Sequence, residues 1–485
     1  MLVGCLPPVA PGVIHSQLFQ SNNTETKAKK IDRMQNANAS CLGIRTFKKF
    51  EQEVNKLFST NNISQLAKES DFIQRSRKVS AVSLLESVLF CNPDNSKVSL
   101  NDLAIYHKIN FGVTLTRQAI KNRFTANATS FVKKLLAQML MSNLSTSREI
   151  FTHSCFNRIR IKDSTCNQLP ENMEKVYPGS GGSGSKAAVR IQFEYDLKNL
   201  DVLELSASAF NNQDLKNAKD TVTNIQNDDL IIRDLGYVSV ETMQDIEQQQ
   251  AWYVFRLNHG TNVKECDTGR ELDFSEIEKY NRRHNINIME KTVFLTGKNY
   301  PCRLIIEIVP EKVKQERTRK REWLNKKKGR KASKESLARA GLNLFVTNCT
   351  AIMLSASEIR KIYGIRWQVE VVFKAWKQNS QMHKVKKMDI NRFEFLLYAK
   401  LVWIMLHWKT CQVLDISMAD NRRGRISILK TYKTLSQFHA FTKSIIRGLN
   451  DKIKELLEWL MEMSATFLKH EDRKDRINWR NVEII

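Results

Sequence analysis

Proline and glycine are scarce in this 485-residue chain, at 8 and 17 residues. That scarcity excludes a collagen-like or linker-dominated protein and favours an ordered, helix-rich one. The nine cysteines, at positions 5, 41, 91, 155, 166, 266, 302, 349 and 411, form no C-x-x-C pair and no metal-ligand spacing. The nine histidines show no paired spacing either. A zinc ribbon and a disulfide scaffold are therefore excluded, and the thiols read as reduced side chains of a cytoplasmic protein. The opening MLVGCLPPVAPG lacks a basic n-region and is broken by prolines, unlike a signal peptide. The apolar run from Phe393 to Trp408 is too short to span a bilayer and carries Lys400, so it is predicted as a core helix, with no membrane partner. Negative charge is also in short supply. Lys plus Arg number 77 against 51 Asp plus Glu, a net +26, which points to a polyanionic partner, nucleic acid before acidic membrane.

Residues 1–45 read as a flexible polar arm. From 46 to 150 the pattern is helical and is assigned to DNA binding. There Ser99 supplies a cap, Gly112 a break after Phe111, and Arg117, Lys121 and Arg123 a basic second helix. Two short helices about such a break suit a helix-turn-helix-like module, although generic helical packing fits nearly as well.

Strand periodicity takes over near Phe156. Asn157 to Lys162 reads as a strand ending at Asp163-Ser164-Thr165, and turn-rich Tyr177 to Lys186 as a hairpin loop. Val189, Ile191, Phe193, Tyr195 and Leu197 then alternate with polar residues as a half-buried strand. A third strand follows at Asp201 to Leu205 and a helix at Gln213 to Gln226. Next come a buried strand at Leu230 to Ile232, a helix at Ser239 to Gln249 and a fifth strand at Trp252 to Leu257. This order, an α/β pattern, is that of a ribonuclease H-like core, with 151–257 as its first part.

Within 258–345 lie β-like pieces at Thr292 to Leu295 and Arg303 to Val309, and a basic run from Lys312 to Lys334. In that run Lys326, Lys327, Lys328, Arg330 and Lys331 are assigned to the DNA backbone, against the plainer reading of a solvated loop. Residues 346–410 form the second part of the core. The 411–485 region is helical again, notably Ile453 to Leu468.

Ile362 to Lys377, IYGIRWQVEVVFKAWK, reads as one helix. At about 100° per residue, Tyr363, Arg366, Glu370 and Lys377 share one stripe, while Ile365, Val369, Val372 and Trp376 share another. One stripe can pack on a core while the other offers a hydroxyl, a guanidinium, a carboxylate and an ammonium to a phosphate backbone and a metal ion.

The spacing Y-x2-R-x3-E-x6-K, matched at all four positions and flanked by Trp367-Gln368-Val369, resembles the signature of DDE transposases of bacterial insertion sequences, in the insertion sequence four family. The resemblance covers about 150–410 well and the N-terminal region only loosely. It implies a β-rich insertion domain between the fifth strand and the glutamate helix, and it makes Glu370 the third catalytic carboxylate. Asp163 and Asp234 end neighbouring strands of the core in contexts, DST and RDLGY, that are similar to the family's. Three carboxylates in one cleft repel one another and are stable there with cations. Two Mg²⁺ ions about 3.5–4 Å apart, with Mn²⁺ able to substitute, are the expected cofactors. Tyr363, Arg366 and Lys377 are implied to assist end binding and hairpin formation.

The implied activity is cut-and-paste transposition. The enzyme would bind the terminal inverted repeats of its element, cleave them with a metal-activated water, and transfer strands to target DNA through a hairpin. A homodimer in the synaptic complex and a bacterial, nucleoid-associated location follow from the same resemblance. The alternatives are a nuclease of the same fold without strand transfer, and an inactive DNA-binding relic. The relic would lack a carboxylate, and none is missing.

Overall fold

The computed structural model describes residues 41–470, apart from 76–77, 92–97, 143–154, 181–183, 199, 259, 296–298, 330 and 421–424. Most of the predicted arm, Arg330 and residues 471–485 lie outside the described residues. Among the described residues six helices come first: α1 (Cys41–Leu57), α2 (Thr60–Glu69), α3 (Ala81–Phe90), α4 (Leu100–Phe111), α5 (Arg117–Lys121) and α6 (Ala126–Met141). Five of them start on a Ser or Thr cap. Ser59, Ser80, Ser99, Thr116 and Thr125 each accept a hydrogen bond from the backbone N–H three residues on. Gly112 ends α4 at φ +69°, where a glycine costs least. The basic second helix is shorter than predicted, and Arg123 lies beyond its end.

Next comes a single nine-stranded sheet, in the order β3-β2-β1-β4-β5-β9-β8-β7-β6. Its elements in chain order are β1 (Arg158–Leu169), β2 (Ala187–Asp196), β3 (Val202–Ala209), α7 (Asp214–Asp220), β4 (Asp229–Arg233), α8 (Val240–Gln248) and β5 (Trp252–Arg256). There follow β6 (Val263–Glu265), α9 (Phe274–Arg283), β7 (Ile288–Leu295), β8 (Tyr300–Ile308), α10 (Glu311–Lys327), α11 (Lys334–Ala338) and β9 (Leu342–Thr347). β1 pairs antiparallel with β2 and parallel with β4, and β4 runs parallel to β5. β9 joins β5 antiparallel and carries β8, β7 and β6 outward. The strands of 258–345 are thus hydrogen-bonded onto the β5 edge of one continuous sheet.

Two strand readings are corrected here. β1 does not end at Asp163. It stays paired with β2 as far as Leu169↔Ala187, and only its pairing with β4 stops, at Lys162↔Arg233. β2 is not half-buried, because both its faces are covered. Arg190, Gln192, Glu194 and Asp196 are buried along with the apolar residues between them.

The last described elements are α12 (Ala356–Ile365), α13 (Gln368–Ser380), α14 (Ile390–Asp420), α15 (Ile428–Gln437), α16 (His439–Ile446) and α17 (Asn450–Thr466). Phe393 to Trp408 lies inside α14 and is largely buried, as its apolar pattern predicts. No helix among the described residues is long and apolar enough to cross a membrane. One face of the sheet packs on α12–α14 and the N-terminal helices, through Ile159, Ile161, Phe193, Ile232, Val369 and Trp376. The Phe193 ring lies 4.8 Å from that of Trp376 and 5.2 Å from that of Trp408, so β2 is keyed to both helices. The opposite face buries Ile231, Tyr253, Phe255 and Leu304 against Met243 and Ile246 of α8 and Phe274 of α9.

Candidate active site

The predicted single helix from Ile362 to Lys377 is two helices. At the joint the backbone tightens by one turn. Arg366 N–H donates to Tyr363 O, Trp367 N–H to Gly364 O, Val369 N–H to Arg366 O and Glu370 N–H to Trp367 O, all spanning three residues rather than four. A stretch of 3₁₀ geometry between two α-helices often marks a functional joint. Side-chain periodicity cannot reveal it, since one tight turn barely disturbs the apolar stripe. That stripe remains as predicted: Ile365, Val369, Val372 and Trp376 are all buried.

The joint delivers Arg366 to the sheet. Its Nη1 donates to Asp163 Oδ2 at 3.1 Å and its Nη2 to Glu370 Oε1 at 3.2 Å. Its Nε lies 4.0 Å from Asp234 Oδ1 and makes no hydrogen bond. The three predicted carboxylates therefore meet around one guanidinium. Asp163 lies on the sheet face of Ile159 and Ile161, one residue past the last β1–β4 pair, and Asp234 directly follows β4. Glu370 comes from the first turn of α13.

The three differ in exposure. The Asp163 side chain is 17% exposed, against 48% for Asp234 and 40% for Glu370. Burial pushes the Asp163 carboxyl up to about 6. The Ser164 N–H, donating to Asp163 Oδ1 at 2.7 Å, and Arg366 pull the other way, while Asp234 and Glu370 add to the rise. An all-oxygen donor set open to solvent on one side suits a hard divalent cation. The chemistry of the residues fits Mg²⁺, but their present spacing is that of carboxylates around a guanidinium. No group of three or more His, Cys, Asp or Glu among the described residues is arranged to hold a metal.

The other predicted residues are placed as follows. Tyr363 is 8% exposed, with its ring 5.2 Å from Phe345 of β9 and the Arg366 guanidinium 5.9 Å from the ring. Its ring lies buried between Phe345 and Arg366. Lys377 is half-buried near the end of α13. The basic run is helix rather than loop over most of its length. Its first half packs, with Arg317 donating to Leu342 O and Asn343 Oδ1 and Arg321 donating to Ser336 O. Lys326, Lys327, Lys328 and Lys331 are exposed, far along the chain from the triad. Trp323 is exposed beside them, with Lys327 Nζ 5.5 Å from its ring.

Sequence reasoning missed what lies behind the triad. On the opposite face of the same strands, Glu194 accepts from Arg160 at 2.9 Å and from Arg233 at 3.1 Å. Asp229 pairs with Arg158 and Arg160, and Lys162 with Glu204. Burial opposes the charge on Glu194, but Arg160, Arg233 and Lys162 outweigh it and hold that carboxyl well below the usual range. Lys162 and Arg233 directly precede Asp163 and Asp234, so this network anchors the stretch of β1 and the end of β4 that present the aspartates. The available signal was the run of four polar side chains at alternate positions in β2, next to basic residues at alternate positions in β1.

A transposase DDE domain model matches residues 154–406, just over half of the chain and the span that holds all three carboxylates. The chain belongs to the DDE transposase family. The transposase for insertion sequence element IS231B of Bacillus thuringiensis subsp. berliner is 27% identical over 454 residues, 89% of this chain and 94% of that protein. The corresponding IS231E protein of B. thuringiensis subsp. finitimus is 27% identical over 450 residues, with the same coverage of each chain. The transposase for IS1151 of Clostridium perfringens is 26% identical over 408 residues, 81% of this chain and 86% of that one. This transposase is accordingly an enzyme acting on DNA, in a family that depends in general on divalent metal.

Proposed function

We propose that this transposase cuts DNA at the terminal inverted repeats of its own insertion sequence and joins the freed ends to a target. The observation that carries the reading is the convergence of Asp163, Asp234 and Glu370 from three separate elements on one side of the sheet. The three carboxylates would hold two Mg²⁺ ions. Bound divalent ions would supply Lewis-acid activation of an attacking oxygen and charge neutralisation at the leaving one. In the first step a water oxygen attacks the phosphodiester at the element end and a 3′-hydroxyl leaves. In the second, that hydroxyl attacks the opposite strand, forming a hairpin and releasing the flanking end. A second water then opens the hairpin, and the regenerated 3′-hydroxyl attacks a target phosphodiester, from which a target 3′-hydroxyl leaves.

The chain's own side chains bind and orient. Lys377 and Arg366 hold phosphates beside the carboxylates, with Tyr363 seating the arginine. Exposed Lys326, Lys327, Lys328 and Lys331, and their neighbour in sequence Arg330, track the backbone of bound DNA, and the helices of 46–150 read the repeat. The active form is a homodimer pairing two element ends, in the bacterial cytoplasm on the nucleoid.

The test is a duplex carrying one end of the element, labelled on one strand, followed over time with Mg²⁺. Wild type should pass quickly from nicked to hairpin product. Tyr363→Phe, Arg366→Ala and Lys377→Ala should accumulate the nick, because only the second step needs the far strand bent into the same centre. A wild-type protein that yields nicks or blunt breaks and never a hairpin or joined product would make it a nuclease of the same fold.

A further inference from the structure

We propose that Arg366 is the built-in counter-cation of the carboxylate triad, holding it in register before divalent ions bind and giving way as they do. The inference rests on the reading of Asp163, Asp234 and Glu370 as the metal-holding set. One guanidinium contacts two of the carboxylates by hydrogen bonds, through separate nitrogens, and its third nitrogen faces the remaining one without a hydrogen bond. It stands between side chains that would otherwise repel one another across a partly desolvated cleft.

The position of Arg366 is fixed from below and from behind. The Tyr363 ring and Phe345 lie under it, and the tight turn between α12 and α13 holds its backbone at both the N–H and the carbonyl. The side chain is only 12% exposed, so it is a seated group rather than a surface arm. One positive charge cannot neutralise three negative ones, and a guanidinium cannot bring three carboxylates to the short, shared contacts a divalent cation requires. Divalent ions therefore compete with Arg366 for the same oxygens. Once displaced, the guanidinium is free to take a bidentate partner, and a DNA phosphate is the group the enzyme itself delivers.

The competition has a sign that a merely structural arginine would not show. Removing the charge should weaken the metal-free protein and strengthen metal binding at the same time. The experiment is calorimetric titration of the full chain, without DNA, with Mn²⁺ alone, alongside thermal melts with and without Mn²⁺. Wild type, Arg366→Gln, Arg366→Lys and Glu370→Gln are compared. Arg366→Gln should bind Mn²⁺ on the order of tenfold more tightly than wild type, within the roughly 5–150-fold range usual for coupled sites. It should also melt lower without metal and gain more from Mn²⁺. Arg366→Lys, which keeps the charge on a shorter reach, should fall between the two. Equal or weaker Mn²⁺ binding by Arg366→Gln, with Glu370→Gln losing binding, would overturn the inference and leave the triad as the metal site. Wild-type Mn²⁺ affinity in Glu370→Gln would overturn the metal-site reading and this inference with it.

Discussion

Two clusters of carboxylates and cations stand back to back on β1 and β4, and they are built on opposite rules. Behind the sheet, Glu194, Glu204 and Asp229 meet Arg158, Arg160, Lys162 and Arg233, so that cations outnumber carboxylates and the central members are buried. In front, Asp163, Asp234 and Glu370 share Arg366 as their one ion-pair partner among the described residues, and two of the three face solvent. Successive residues supply the two clusters: Lys162 points back and Asp163 forward, and Arg233 and Asp234 repeat the arrangement. The comparison separates architecture from chemistry. A buried charge network in which every carboxylate is paired fixes strands in place, whereas an exposed, undercompensated one can exchange its partner for a metal ion and a phosphate.

The largest effect expected from breaking this contrast is on cleavage. Asp163→Asn and Asp234→Asn should each lower Mg²⁺-dependent nicking by on the order of 10³-fold or more, as loss of a central catalytic group typically does. Affinity for end DNA, measured by gel shift, should stay within a few-fold, since basic residues rather than the triad supply it. A variant that still nicks near the wild-type rate would remove that residue from the triad. Next in size is the cluster behind. Glu194→Leu strands Arg233 in a buried site, takes one of two carboxylates from Arg160 and Lys162, and should cost about 3–5 kcal/mol of stability by denaturant melting, the usual penalty for breaking a buried pair. A loss below about 1 kcal/mol, in the range of exposed pairs, would mean that the network does not hold the strands.

The front cluster was legible in the sequence and the back one was not, for physical reasons. Asp163 follows Ile159 and Ile161 on one face of β1, Asp234 follows an apolar strand, and Glu370 sits in a spaced quartet, so a carboxylate in phase with an apolar strand or on a helix stripe marks each of them. Arg190, Gln192, Glu194 and Asp196 look the same as solvent-facing residues of a half-exposed strand. Alternation reports which side chains share a face, not whether that face is covered. Here α7 and the turns after it cover it: Arg190 donates to Asp214, Lys162 to Thr221 and Arg160 to Asn224 O. The tight turn at Arg366 was also invisible, because φ and ψ leave no trace in composition. The Ser99 cap, the Gly112 break and the buried run from Phe393 to Trp408 were legible, since such punctuation and a continuous apolar run carry direct signals.

A smaller effect sharpens the contrast with a buried group that has no countercharge at all. His407 in α14 is buried, its Nδ1 2.7 Å from Trp403 O, its ring tilted against Trp403 and stacked on Tyr432. Burial pushes its pKa down from 6.5 to about 4. The folded protein therefore favours the neutral ring. That contribution is fully present above pH 6.5 and is lost as pH falls from 6.5 through about 4, by up to about 3 kcal/mol at 1.36 kcal/mol per pH unit. His407→Leu should flatten the melting-temperature difference between pH 7 and pH 5 relative to wild type. An unchanged difference would place the acid sensitivity elsewhere.

The smallest effect expected is at the basic helix. Replacing Lys326, Lys327, Lys328 and Lys331 with Gln should reduce the slope of log affinity against log salt by about 0.9 for each phosphate no longer neutralised, without altering the melt. An unchanged slope would make the end of α10 an ordinary solvated surface.

The most direct measurement is the pairing of melt and cleavage for Glu370→Gln, without metal and then with Mg²⁺. If the front cluster is undercompensated by design, taking one charge from it relieves repulsion. The variant should then melt no lower than wild type without metal, lose cleavage, and gain less from Mg²⁺. A variant that melts several degrees lower without metal, yet gains as much as wild type from Mg²⁺ and keeps cutting, would show that Glu370 belongs to the architecture and not to the chemistry.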